Sequence, residues 1–145
     1  MLKLLFIPAA ILFMSFTGWQ DNFEAAKKQA TEQHKLILLN FSGSDWCGPC
    51  IMLRKEIFEN AAFKDFSDSA LILVNADFPR QKKNQLPAQQ QQINAQLADQ
   101  YNKNGIFPLT ILLSSEGKII KTWESKPKEN VSQFIQVIKT FVDKQ

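Results

Sequence analysis

The sequence predicts an α/β domain, a central mixed β-sheet flanked by helices, behind a short N-terminal export segment. Three observations point to it. Leu36–Phe41 and Ala70–Ala76 are short, nearly continuous apolar runs, the mark of strands covered on both faces. Segments with helical apolar spacing separate the strand-like runs, which implies parallel crossovers. Ser115-Glu116-Gly117-Lys118 then divides two further strand-like runs, as a hairpin turn does. A length of 145 residues suits one domain with a real core, and 12 Phe with 3 Trp exclude global disorder.

Met1-Leu2-Lys3 is a short basic start, and Leu4 to Phe16 is apolar apart from Ser15. That stretch matches a signal-peptide core and is short for a membrane span. Residues 1–18 are therefore expected to be a signal peptide, and 19–145 the folded domain. Asp21-x-x-Glu24 resembles a capping box, and Phe23, Ala26 and Ala30 place a helix over 22–33. Leu36–Phe41 is the first strand. Ser42-Gly43-Ser44-Asp45 breaks it, and a helix follows to about Ile57 with Leu53 and Ile57 inward. Asn60 caps a short helical piece carrying Phe63 and Phe66, and Ala70–Ala76 is the second strand. Asp77 to Pro87 is a polar, basic loop. Ala88 to Tyr101 is a Gln-rich helix with the stripe Ile93, Leu97 and Tyr101. Pro108 opens the strand Leu109–Leu113, which pairs back with Ile119–Trp123. Glu129 to Asp143 is a final helix with Val131, Phe134, Ile135, Ile138, Phe141 and Val142 inward.

The formal charge of +3 is mild, and no Lys/Arg stripe exists to track phosphates, so nucleic acid is not an expected partner. The chain has two cysteines, both in Trp46-Cys47-Gly48-Pro49-Cys50, between a buried strand and a helix. Cys47 falls at the helix start, where free N–H groups and the helix dipole favour a thiolate, the nucleophilic form. It is also expected to lie nearer solvent than Cys50, which sits one turn in. Gly48 permits a tight turn and Pro49 suits a first helical turn. A structural disulfide closing so small a loop adds little. A zinc site lacks ligands, since His34 is the single His and is expected at the surface. Haem attachment lacks its His, because Ile51 follows Cys50. A redox-active dithiol is the preferred reading.

Trp-Cys-Gly-Pro-Cys after an apolar strand resembles the thioredoxin superfamily, and Phe41-Ser42-Gly43-Ser44-Asp45-Trp46-Cys47 looks like its exported branch. The resemblance runs from about Trp19 to the C-terminus and implies a thioredoxin-like fold. It also implies that Phe107-Pro108 is a cis bond bordering the substrate groove. Two departures stand out. The superfamily's buried Asp on the strand entering the motif is matched here by Asn40, which cannot titrate, and Leu71–Val74 lacks the Lys that often accompanies that Asp. Asp45 is nearer to Cys47 but is expected to face solvent. The loop 77–87 is also longer than in a minimal thioredoxin; its Arg80, Lys82 and Lys83 read as a solvated loop, with guidance of an acidic partner as the alternative.

The expected activity is that of an exported thiol–disulfide oxidoreductase, periplasmic or secreted, that reduces protein disulfides. Cys47 is the nucleophile and Cys50 the resolving thiol, with Trp46, Gly48 and Pro49 as the active-site loop and Phe107 and Pro108 at the groove. No organic cofactor or metal is expected. The expected partners are disulfide-containing proteins and an electron-donor thiol protein. The protein is expected to be a monomer, touching membrane only through an uncleaved signal. The competing readings are a binding module for peptides or a soft metal such as Cu(I), and a disulfide oxidant or isomerase using the same residues.

Overall fold

The apolar run that the sequence marks as doubly covered is the middle strand of a five-stranded sheet. The computed structural model describes residues 18–144; the expected signal peptide lies outside them apart from Gly18. The order is β1 (Trp19–Gln20), α1 (Phe23–Gln33), β2 (Leu36–Ser42), α2 (Gly48–Leu53) continuing as a π-helical turn (Arg54–Phe58), α3 (Ala61–Ala70) and β3 (Leu71–Asp77). A short 3-10 turn (Lys82–Asn84), α4 (Ala88–Tyr101), β4 (Leu109–Leu113), β5 (Ile119–Glu124) and α5 (Val131–Val142) complete it. The strands lie in the order β1-β3-β2-β4-β5. β3 pairs parallel with β1 and β2, while β4 is antiparallel to both β2 and β5. This is the mixed sheet expected, with the hairpin at one edge.

Strand side chains alternate between faces, and the core divides accordingly. Ile37, Leu39 and Phe41 pack with Phe23, Ala26 and Ala30 of α1 and Leu97 of α4. Leu36 and Leu38 pack on the other face with Leu53, Ile57, Phe63, Phe134 and Ile138. The rings of Phe63 and Phe134, both fully buried, meet at 6.1 Å. Burying each such side chain contributes about 1.5–3 kcal/mol, so these two layers dominate the stability of the fold.

The differences from expectation lie at the ends of elements. α1 is capped by Asn22, whose side chain accepts from the Ala25 N–H, and not by an Asp21/Glu24 box. β1 is two residues long, below what periodicity can detect. α3 extends through Ala70, so β3 starts one residue later than expected. α5 starts at Val131 because Asn130 and Gln133 form the capping box, each side chain accepting the other's backbone N–H at 3.0 Å. α4 buries little apolar surface. Of its expected stripe only Leu97 is buried, and beside it Asn94 is 1% exposed. The Asn94 amide donates to the Asp77 carbonyl at 2.9 Å and accepts from Gln90 at 2.8 Å. Each bond is worth about 1 kcal/mol net; the Asp77 bond ties α4 to the end of β3, and the Gln90 bond, within α4, orients the Asn94 amide.

Candidate active site

β2 carries the chain into the site, and the end of β3 holds it there. The Phe78 N–H donates to the Ser42 carbonyl at 2.8 Å. The Ser44 N–H and hydroxyl both donate to the Asp77 carboxylate, at 3.0 and 2.5 Å. The Trp46 and Cys47 N–H groups then turn back onto the Gly43 carbonyl, at 3.2 and 2.9 Å. Glycine is required at 43 because a Cβ there would lie 2.3 Å from the Trp46 ring. In the sequence Gly43 is marked only as part of a strand-breaking segment; the ring that demands it meets it only once the turn closes.

Trp46 is fixed by an indole N–H bond to the Phe78 carbonyl at 2.7 Å. Phe107 sets its edge against the rings of Trp46 and Phe78, at 5.4 Å each. The Phe107–Pro108 bond is cis, Pro108 is buried, and its carbonyl accepts from the Ser125 N–H at 3.0 Å. The structure therefore brings Trp46 and Phe107, 61 positions apart in the chain numbering, to one side of the dithiol loop.

Cys47 is the N-cap of α2, in extended conformation, with Pro49 in the first turn. Its Sγ accepts the Cys50 N–H at 3.2 Å. A donor aimed at the sulfur and the start of a helix both favour negative charge on Cys47. The two cysteines form a disulfide with a Cα–Cα distance of 5.2 Å. Each is 5% exposed, so the expected difference in solvent access is not seen at the residue level in this form. They differ in surroundings: Cys47 caps the helix, whereas Cys50 lines a cavity of about 300 Å³ beneath it.

Asn40 and Asn75, from adjacent strands, line that cavity together with the apolar Trp19, Ile51 and Phe58. Asn40 is paired in register with Asn75 of β3 on one side and Thr110 of β4 on the other. By strand alternation Asn40 shares the face of Leu36 and Leu38, the face on which α2 lies. It is 5% exposed and bonded at both ends of its amide: the nitrogen donates to Asn75 Oδ1 at 2.9 Å and the oxygen accepts from the Thr110 hydroxyl at 3.0 Å. Asn75 occupies the β3 position opposite Asn40 and, like it, cannot exchange a proton at ordinary pH. Arg54, Glu59 and Lys64 also line the cavity, with Arg54 paired to Glu59 at 3.0 Å. With Ser42, Asn40 and Asn75 among its lining, a cavity of this size has room for water beside Cys50, a route by which a proton could leave that thiol without a buried carboxyl.

Asn40→Asp tests the point. Resolution of a mixed disulfide by wild-type Cys50, followed across pH roughly 5 to 9, is expected to show the thiol ionisation alone, and the variant to add a second ionisation from its buried carboxyl. Identical profiles would show that residue 40 has no part in the proton's path.

Asp45 lies at the surface, as expected, but its carboxylate is engaged by the chain. Its carboxylate accepts from the Arg80 and Gln81 N–H groups, both at 2.9 Å, and from the Asn84 amide at 3.0 Å. The Arg80 backbone bond, followed by the Asn84 bond, holds its carboxyl below the usual carboxylate range. Loop 77–87 is accordingly fastened to the dithiol turn, and the Arg80 guanidinium lies 3.6 Å from the centre of the Trp46 ring. His34 is exposed at the left-handed C-cap of α1, away from this chemistry.

Comparison with known proteins places these features in a family. A thioredoxin-like family model matches residues 18–114. The disulfide bond reductase DsbH of Chlamydia pneumoniae is 38% identical over 98 residues, 68% of this chain and 57% of that protein. The thioredoxin-related protein DsbJ of the same organism is 30% identical over 102 residues, 70% of this chain and 28% of that protein. The chain thus spans little more than half of the first relative and under a third of the second. A solved DsbH oxidoreductase structure superposes with a TM-score of 0.78 at 30% identity, covering 88% of this chain and 85% of the other. The extent of the family match, together with this superposition, makes the chain a member of the thioredoxin-like family.

Proposed function

We propose that the protein is an exported thiol–disulfide oxidoreductase that works as a reductase of protein disulfides. The observation that carries the reading is the Cys47–Cys50 pair at the head of α2, closed as a disulfide beside Trp46 and Phe107. Gly48 and Pro49 between the cysteines and the match to a disulfide bond reductase support the reducing direction.

In this reading the Cys47 thiolate attacks one sulfur of a substrate disulfide. The substrate S–S bond breaks, a Cys47–substrate bond forms, and the first substrate thiolate leaves and takes a proton. Cys50 then loses its proton into the cavity and attacks Cys47 Sγ. The mixed disulfide breaks, the second substrate thiol is released, and the protein is left as the Cys47–Cys50 disulfide. Two electrons have passed to the substrate. Phe107 and Pro108 border the groove that holds it, and Trp46, Gly48 and Pro49 shape the loop that presents Cys47. The proposed partners are disulfide-bearing proteins and an electron-donor thiol protein that restores the dithiol. No organic cofactor or metal enters these steps.

Residues 1–18, with their basic start and apolar core, are proposed as a cleaved signal, leaving a monomeric domain 19–145 in the periplasm or outside the cell. The reduction potential of the pair, measured against glutathione, tests the direction. A value near thioredoxin's, about −270 mV, is expected; one near −120 mV would make the protein an oxidant.

A further inference from the structure

Loop 77–87 is anchored more firmly than a solvated connection requires, and its central part, Phe78 to Asn84, is fastened to Asp45 and Trp46 of the dithiol turn. Asp45 precedes Trp46 and Cys47 in the chain. Its two carboxylate oxygens hold the Arg80 and Gln81 N–H groups and the Asn84 amide, while its own carbonyl accepts from the Gln81 side chain at 3.2 Å. The Phe78 carbonyl accepts from Trp46. The result is a fixed placement: the exposed Arg80 guanidinium sits over the face of the Trp46 indole.

A guanidinium over an aromatic face is attracted through the ring, and its N–H edge stays available for a carboxylate. Among the described residues Arg80, Lys82 and Lys83 form no ion pair, and all three are exposed. The acids at the two ends of this arrangement are already engaged, Asp45 by the loop's Arg80, Gln81 and Asn84 and Asp77 by Ser44. The same edge of the molecule is apolar on its other side, where Ile51 and Met52 after Cys50 are 44% and 45% exposed. A polypeptide approaching Cys47 therefore meets uncommitted positive charge on the Trp46 side and apolar surface beyond Cys50.

We propose that the Asp45-clamped loop is a specificity element, and that Arg80, with Lys82 and Lys83 behind it, selects disulfide-bonded polypeptides carrying Asp or Glu beside the reacting cysteine. The inference rests on the reductase reading of the dithiol and adds to it a substrate class. Arg80 acts by contact with the substrate, and Asp45 is a positioning residue that holds Arg80 on Trp46.

The test compares kcat/KM for three substrates: two disulfide-linked peptides of equal length, one with Glu and one with Lys flanking the cysteine, and the small neutral hydroxyethyl disulfide. Wild type is expected to favour the Glu peptide over the Lys peptide by about fivefold at low salt, the scale of exposed ion pairs, with the preference fading as salt rises. Arg80→Gln should lose most of that ratio and Arg80→Glu should invert it. Asp45→Asn, which leaves Arg80 in the chain but weakens its clamp, should reduce the ratio and its salt dependence together. Equal wild-type rates on the two peptides, with the neutral disulfide still reduced, would overturn the inference and leave the reductase reading standing. A loss in Arg80→Gln shared equally by all three substrates would also overturn it, since Arg80 would then merely support Trp46. Failure to reduce any of the three would remove the reductase reading itself, and the inference with it.

Discussion

Cys47→Ser is expected to bring disulfide reduction down to the uncatalysed rate while leaving the fold intact. The serine hydroxyl does not ionise near neutral pH and cannot replace a thiolate as the attacking group. It can, however, replace the sulfur as a helix cap: Cys47 Sγ accepts the Cys50 N–H, and serine is among the preferred N-cap residues. The disulfide lost with it closes a very short loop and contributes little chain entropy. Circular dichroism of the reduced proteins should therefore match, and rates with an aromatic disulfide should differ from wild type by the whole catalytic effect. Retained activity in Cys47→Ser would assign the attack to Cys50 and reverse the proposed roles.

Cys50→Ser is expected to separate the two chemical steps. The first attack needs Cys47 alone, so the variant should react with substrate at a rate comparable to wild type. The second attack has no thiol to make it, so the covalent Cys47–substrate adduct should accumulate toward one substrate per protein. An external thiol should release it, and mass spectrometry of the released polypeptides would identify the substrates. The backbone N–H of residue 50 still points at Cys47 Sγ in the variant, so the reactivity of Cys47 is preserved. An absence of adducts in the protein's own compartment, with Cys47 still open to alkylation, would favour a peptide-binding or soft-metal-binding module instead.

Much of this architecture is legible in the sequence because it is encoded locally. The unbroken apolar runs mark β2 and β3, the hairpin marks β4 and β5, and the spacing of Phe134 and Ile138 marks the buried face of α5. The dithiol is legible because Cys47, Gly48, Pro49 and Cys50 are contiguous and each suits a helix start for its own reason.

What escapes a local reading is set by partners far along the chain. Asp45 reaches residues 35, 36 and 39 positions away, so nothing near it signals that it clamps a loop. Asn94 lies beside the stripe Ile93, Leu97 and Tyr101 and carries no local mark of burial, yet it is buried with its amide donating to the Asp77 carbonyl. Asn40 can be flagged as a departure from the superfamily, but its pairing with Asn75 and Thr110 depends on the register of two neighbouring strands. Gly43 is demanded by a ring that meets it only when the turn is closed.

The most direct test of the account is the reduction of insulin disulfides by the domain 19–145 with dithiothreitol as the electron source, followed by precipitation of the freed B chain. Catalytic amounts of the protein are expected to accelerate precipitation well beyond dithiothreitol alone, and the acceleration is expected to disappear in Cys47→Ser. A folded, reduced protein that leaves the reaction at the dithiothreitol rate would contradict it.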